Sequence, residues 1–131
     1  ADIEFRYFSV PADFMAAYLK KALPAGWDQT FALAMLKGKK GSCYHDAAAF
    51  AHLARKATGY PVLIALGKST LYNAKGSFHA WVLIRQKGKW YVYDTNGDRV
   101  KGNGKGKYRQ LSLTSALVKK TYQKEMTVTV K

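Results

Sequence analysis

The chain has 131 residues, of which 48% are hydrophobic and 14% aromatic. This length and composition exclude a disordered chain and predict a single domain over residues 1–131 with a core of its own. One cysteine and three histidines exclude an internal disulfide and a cysteine-rich zinc site, and we expect neither a metal nor a cofactor.

The net charge is +14, from 22 Lys and Arg residues against 8 Asp and Glu residues. Such a charge favours encounters with polyanions, which include nucleic acid, an anionic cell-wall polymer and acidic proteins. The lysines are spread along the chain without a basic, aromatic-bearing helix, so specific nucleic-acid binding is not expected and a solvated basic surface is the simpler interpretation.

The sequence contains no apolar run close to the roughly 20 residues that cross a bilayer, so no membrane span is expected. It begins at Ala1 rather than at methionine. That start favours a secreted or cell-surface protein from which a signal peptide has been removed, with a trimmed cytoplasmic domain as the alternative. We expect a monomer.

The first third of the chain predicts one short strand and two helices. Weak alternation of apolar residues over residues 1–10 indicates the strand. Helical spacing predicts a first helix that starts at Pro11-Ala12-Asp13 and is stopped by Leu23-Pro24-Ala25-Gly26. A second helix follows, which Asp28 caps and Gly38 ends.

The segment that follows predicts the central helix of the domain. Gly41-Ser42 opens this helix, which runs to Thr58 and is ended by Gly59. Alanines make it apolar around most of its circumference, a pattern that indicates a buried helix approached closely by other elements. Residues 60–66 then form a β-branched and apolar run that predicts a buried strand.

The last part of the chain predicts mainly antiparallel strands. Residues 78–85 and 89–95 indicate a hairpin, and residues 126–130 alternate as a closing strand. Between them lie a flexible basic loop over residues 101–107 and a short helix within residues 111–120 that Ser112 or Thr114 caps. Helices followed by an antiparallel sheet that packs on the central helix make an α+β fold.

Cys43 lies where a loop becomes the central helix. A free thiol is mostly protonated at neutral pH, and a nucleophilic cysteine therefore needs a helix N-terminus, an imidazole base, or both. At ~100° per residue, His45 lies about 200° and His52 about 180° around the helix from Cys43, so both point away from the thiol. His79 is the remaining candidate for the base.

The hairpin could supply a carboxylate to His79. A two-residue turn at Lys87-Gly88 pairs Trp81 with Asp94 and His79 with Asn96, which puts His79 and Asp94 on one face as diagonal neighbours. A loop longer by one residue would reverse this parity. Asn96 is the alternative residue for orienting the imidazole, since an amide can also hold its tautomer.

Several of these segments resemble the bacterial transglutaminase-like superfamily. The segments that carry the resemblance are Gly41-Ser42-Cys43-Tyr44-His45-Asp46-Ala47-Ala48, Gly59-Tyr60-Pro61-Val62, Gly67, His79-Ala80-Trp81 and Lys89-Trp90-Tyr91-Val92-Tyr93-Asp94. The resemblance implies a papain-like fold in which Cys43 is the nucleophile, His79 the base and Asp94 the orienting carboxylate.

The sequence offers more than one candidate for the oxyanion donor. Papain-like proteases have a glutamine six residues before the cysteine, and this chain has Lys37 there. The backbone amide of Cys43 is one candidate, and Trp27 or Gln29 is another if the start of the second helix folds across the cleft.

Two functions follow as hypotheses. The first is a cysteine enzyme that forms a thioester with peptide or glutamine-type carboxamide substrates, acting as a protease or amidase with water and as a transglutaminase with an amine. Its partner would be a protein or peptide substrate. The alternative is a non-catalytic basic module that binds an anionic cell-wall polymer or an acidic protein.

Overall fold

The computed structural model describes residues 6–7, 12–38, 40–71, 74–94 and 111–131. Helices and a mainly antiparallel sheet follow the order expected of an α+β fold. The elements are β1 (Arg6–Tyr7), α1 (Ala12–Leu19), α2 (Trp27–Gly38), β2 (Lys40–Gly41), α3 (Cys43–Thr58), β3 (Val62–Ser69), β4 (Ser77–Gln86), β5 (Lys89–Tyr93), β6 (Leu111–Ser112), α4 (Ala116–Thr121) and β7 (Tyr122–Val130).

The two predicted N-terminal helices are present, but the cap predicted for the second helix is wrong. α2 begins at Trp27, which places Asp28 inside its first turn. The buried carboxylate of Asp28 accepts a hydrogen bond from His52 Nε2 of α3 at 2.8 Å instead of capping its own helix. A buried carboxylate needs a partner, and the pair therefore fixes α2 against α3.

α3 is the central buried helix that the sequence predicts. Ser42 is its N-cap, and Gly59 ends it in the left-handed region with a φ of 73°. The helix buries a set of small residues against the rest of the protein, namely Ala47, Ala48, Ala49 and Ala51. Small side chains let α2 and the sheet approach this helix closely.

The sheet has the strand order β6-β5-β4-β3-β7, and every neighbouring pair is antiparallel. Lys87 and Gly88 form the two-residue turn between β4 and β5, with φ angles of 52° and 78°. Positive φ at both positions is typical of a type I′ turn. Val82 pairs with Tyr93, which is the predicted register, and one further step along the strands brings Asp94 opposite Trp81.

β7 carries a bulge where it pairs with Gly67 of β3, because Leu66 pairs with Met126 and Gly67 with Lys124, which leaves Glu125 as the extra residue. Gly67 lies opposite His79 on β4, and the register between β3 and β7 shifts at this glycine. A Cβ atom at position 67 would lie 2.0 Å from the carbonyl oxygen of Gln123, so only glycine fits there. The bulge thus lets β7 approach the sheet at the level of His79.

The two faces of the sheet belong to two different cores. The face toward α3 packs with the helices and contributes Val62, Ile64, Leu66, Ala80, Val82 and Ile84. The opposite face packs with α4 and the start of β7 and contributes Ala65, Trp81, Leu83 and Val92, together with Val118 and Tyr122. The predicted alternation along β4 and β5 is therefore confirmed.

The C-terminal region differs from prediction in one respect. Ser115, rather than Ser112 or Thr114, caps the short helix α4 by accepting a hydrogen bond from the amide of Val118. Ser112 cannot start a helix there because it lies in β6 and pairs with Tyr91 of β5. The predicted loop 101–107 lies outside the described residues.

A parallel pair of two-residue strands precedes the central helix. Arg6 of β1 pairs with Lys40 of β2, and Tyr7 pairs with Gly41. This part of the predicted strand 1–10 is described, and the remainder lies outside the described residues. Across the described ranges, each helix is too short or too polar to cross a membrane.

Candidate active site

The N-terminus of α3 holds the only cysteine of the chain. Cys43 is the first residue of the helix, directly after the N-cap Ser42, and only 4% of its surface is exposed. Ser42 Oγ accepts a hydrogen bond from the amide of Tyr44 at 3.2 Å. The sulfur therefore lies at the positive end of the helix dipole.

Both histidines of α3 have partners other than the thiol, as their helical positions predict. His45 Nδ1 lies 3.0 Å from the amide nitrogen of Ser42 and 2.8 Å from its hydroxyl oxygen. The ring of His45 is stacked on Phe31 of α2, with 3.9 Å between ring centres. His52 is hydrogen-bonded to Asp28. Neither imidazole is placed to act as the base of Cys43.

His79 lies at the start of β4, between Cys43 and Asp94. Its Nε2 atom donates a hydrogen bond to Asp94 Oδ2 at 2.7 Å, and both side chains are buried, with 1% and 4% of their surfaces exposed. His79 is also hydrogen-bonded to Cys43. Because Nε2 is occupied by Asp94, Nδ1 is the nitrogen that the thiol can reach. The structure thus brings the three predicted residues together.

The partners of His79 determine its protonation. Burial disfavours the charged ring and alone would lower the pKa. The hydrogen bonds to Asp94 and then Cys43, with the charges of the same two groups, outweigh burial and raise the pKa of His79 to about 10. At neutral pH this ring holds a proton that it can deliver to a leaving group.

Tyr122 is a fourth member of the cluster that the sequence did not predict. Its hydroxyl donates a hydrogen bond to Asp94 Oδ2 at 2.9 Å, so one carboxylate oxygen receives both Tyr122 and His79. The centre of its ring lies 4.8 Å from that of Trp81 and 6.5 Å from that of His79. Tyr122 and Trp81 therefore enclose the imidazole and restrict the rotation of Asp94.

No local pattern in the sequence marks Tyr122. It follows Asp94 by 28 residues and belongs to no motif. Its place is set by the pairing of β7 with β3, where Tyr122 lies opposite Ser69. The apolar alternation of this strand begins only at Met126, so it gave no indication that the side chain of Tyr122 is buried.

The other predicted site residues are placed as follows. Trp27 is buried in an aromatic cluster with Phe14 and Phe31 and lines a cleft of about 370 Å³ between α1 and α2. Gln29 is exposed on α2, and Asn96 lies outside the described residues. Their proposed roles as oxyanion donors or orienting residue stay predictions.

Among the side chains that the structure describes, no group of three or more His, Cys, Asp and Glu residues is arranged to hold a metal ion. The cluster around Cys43 contains one thiol, one imidazole and one carboxylate, and such groups can donate and accept protons.

Residues 12–95 match the family model of the transglutaminase-like superfamily. Comparisons with curated proteins and with solved structures gave no match. The matched segment runs from the first residue of α1 to just beyond Asp94, and it includes Cys43 and His79. Because the match covers well over half of the 131 residues, the chain belongs to the transglutaminase-like superfamily.

Proposed function

We propose that the protein is a cysteine enzyme that attacks peptide or glutamine-type carboxamide groups and forms a thioester on Cys43. The hydrogen-bonded chain from Cys43 through His79 to Asp94 is the observation that carries the proposal. Membership of the transglutaminase-like superfamily supports cysteine-dependent chemistry in general. The finer assignment is our proposal, and the arrangement of the residues at this site supports it.

In the first half of the reaction, Nδ1 of His79 holds the proton that the Cys43 thiol has given up, in line with the raised pKa of the ring. The thiolate attacks the carbonyl carbon, and the C–O π electrons move to the oxygen. When the tetrahedral intermediate collapses, the C–N bond breaks and His79 returns the proton to the departing nitrogen. An amine or ammonia leaves, and the acyl group stays on Cys43.

In the second half, a water molecule or an amine attacks the thioester carbonyl. His79 accepts the proton of the nucleophile and passes it to the Cys43 sulfur as the C–S bond breaks. Asp94 holds Nε2–H of His79 throughout, which keeps Nδ1 directed at the sulfur. Attack by water makes the enzyme a protease or amidase, and attack by an amine makes it a transglutaminase.

The backbone amide of Cys43 is the best candidate for an oxyanion donor. The capping box of α3 uses the amides of Tyr44 and His45 for hydrogen bonds to Ser42 Oγ. The Cys43 amide lies at the same end of the helix, beside the sulfur that attacks, and points with the helix dipole. One such donor contributes roughly 3–4 kcal/mol of transition-state stabilisation.

We propose a protein or peptide as the substrate, because the chemistry requires a carboxamide. The net charge of +14 would raise the encounter rate with an acidic protein or with an anionic cell-wall polymer that surrounds the substrate. This steering would weaken as salt is added, since surface charges are screened within about 10 Å at 0.1 M salt.

The test is a mass-spectrometric search for an acyl adduct on Cys43. Folded protein is incubated with glutamine-containing peptides, with and without a primary amine, and the products are identified. A thioester on Cys43 and a deamidated, cleaved or amine-bearing peptide are expected. Cys43→Ala and His79→Gln should give none of these products.

The proposal fails if folded wild-type protein gives no adduct and iodoacetamide labels Cys43 no faster than free cysteine at neutral pH. Binding of an acidic polymer that is steeply salt-dependent and survives Cys43→Ala would then favour the non-catalytic module.

A further inference from the structure

His45 takes part in the cap of the helix that carries the nucleophile. Ser42 donates its amide hydrogen to His45 Nδ1, with 3.0 Å between the two nitrogen atoms. Ser42 Oγ accepts the amide of Tyr44 and lies 2.8 Å from the same Nδ1. The hydroxyl hydrogen therefore points to Nδ1, which receives two donors and must carry no proton itself.

The surroundings of His45 are shaped to keep its ring in this position. A Cβ atom on Gly41 would lie 2.5 Å from Cβ of His45, so the residue before the cap has to be glycine. Phe31 of α2 covers the ring on one side, with an angle of 5° between the two planes. A capping box normally uses Glu or Gln at this helix position, and histidine makes the same acceptor sensitive to pH near neutrality.

We infer that neutral His45 is a positioning residue for Cys43, and that its protonation releases the Ser42 cap and lowers the reactivity of the thiol. This inference rests on the proposed function, because Cys43 has to be the reactive group. Ser42 precedes Cys43 directly, so the hydrogen bonds that fix its backbone also fix the amide and the thiol of Cys43. Protonation of Nδ1 would set its N–H against the backbone N–H of Ser42 and would turn the Ser42 hydroxyl from a donor to the ring into an acceptor from it.

The charged neighbours of His45 do not offset this effect. Across α2, the ring faces Phe31, and one turn earlier Asp28 is already paired with His52. On α3 itself, Asp46 follows His45 directly in the sequence and is buried. Burial lowers the pKa of His45 below its usual 6.5. The cap is therefore intact above that pH and is lost as the pH falls through the folded-state pKa.

Two substitutions distinguish the role of Nδ1 as a hydrogen-bond acceptor from the packing of the ring. His45→Phe keeps a flat ring between Phe31 and Gly41 but removes Nδ1. His45→Gln keeps an acceptor suited to a capping box but does not titrate. His52→Gln is the matched control, because it removes the other histidine of α3.

The readout is the rate at which iodoacetamide alkylates Cys43, the only cysteine of the full chain, as a function of pH. At neutral pH we expect His45→Phe to react about tenfold more slowly than the wild type and His45→Gln to react nearly as fast. Toward acid, the wild-type rate should fall more steeply than that of His45→Gln, because two protonations contribute in the wild type and one in the variant. His52→Gln should follow the wild-type profile.

The inference is overturned if His45→Phe, shown to be folded by circular dichroism, reacts like the wild type. It is also overturned if the profiles of His45→Gln and the wild type superimpose, and this second comparison decides the matter where His45→Phe does not fold. Failure of the proposed function has a different signature, since wild-type Cys43 would then react like free cysteine at every pH.

Discussion

Tyr122→Phe removes one hydroxyl from the candidate active site and leaves the ring in place. The hydroxyl donates to Asp94 Oδ2 at 2.9 Å, whereas the ring packs on Trp81 and His79 and should stay there. A hydrogen bond to a charged group contributes about 1.5–3 kcal/mol, and loss of this one leaves a buried carboxylate with one donor fewer. We expect the free energy of unfolding to fall by that amount and Tm to fall by about 5–12 °C.

Urea denaturation of four proteins tests this prediction: the wild type, Tyr122→Phe, Asp94→Asn and the double variant. If the hydroxyl acts on the carboxylate, the two single losses in free energy of unfolding should not add. The loss in the double variant should be smaller than their sum by at least about 1 kcal/mol. Tyr60→Phe, whose side chain is 43% exposed, is the control and should stay within about 0.5 kcal/mol of the wild type. Strict additivity in the cycle would refute the reasoning.

Three further predictions concern the frame of the site. Gly67→Ala should destabilise the protein by about 2–4 kcal/mol in urea denaturation, since its Cβ would lie 2.0 Å from a backbone oxygen, and a neutral result would contradict the bulge. The pKa of His79 is raised to about 10. The wild type should therefore exceed His79→Gln in free energy of unfolding by a full margin below pH 6.5, and this margin should disappear as the pH rises through 10. A margin that stays constant with pH would contradict the raised pKa. Asp28→Asn should lower the free energy of unfolding by about 1 kcal/mol in the wild type and by much less in the His52→Ala background, because Asp28 and His52 are hydrogen-bonded to each other.

The hairpin that carries His79 and Asp94 was predictable because residues close together in the sequence determine it. Lys87-Gly88 is a short polar segment between two apolar runs, and the two-residue turn decides the parity of every pair beyond it. The observed pair of Val82 with Tyr93 follows from that parity alone. The central helix was predictable for the same reason, since Ser42 and Gly59 mark its ends.

The parts that could not be predicted depend on contacts between distant segments. The carboxylate of Asp28 has the local signature of a helix cap, but the partner that decides its role is His52, 24 residues away. Ser112 has the same signature, and its pairing with β5 overrides it. In both cases a tertiary contact outweighed a local preference of about 1 kcal/mol.

His45 illustrates the limit of helical geometry as evidence. The angle around the helix excluded this residue as the base of Cys43, and its observed partners agree. The same angle could not show that the ring turns back to the cap, because that contact depends on the missing side chain of Gly41 and on Phe31. A residue rejected for one role on geometric grounds can therefore still act on the same thiol through the backbone.

The candidate site is larger than the segment that identifies the family. The family match ends at residue 95, yet Asp94 receives a donor from Tyr122 and the strand beside His79 is held by β7. Four elements (α3, β4, β7 and the end of β5) thus contribute one side chain each to a continuous set of hydrogen bonds. Because a buried carboxylate depends on all its donors, the geometry of Asp94 is a property of the sheet from β5 to β7, and changes in β7 should alter the chemistry of Cys43 without touching it.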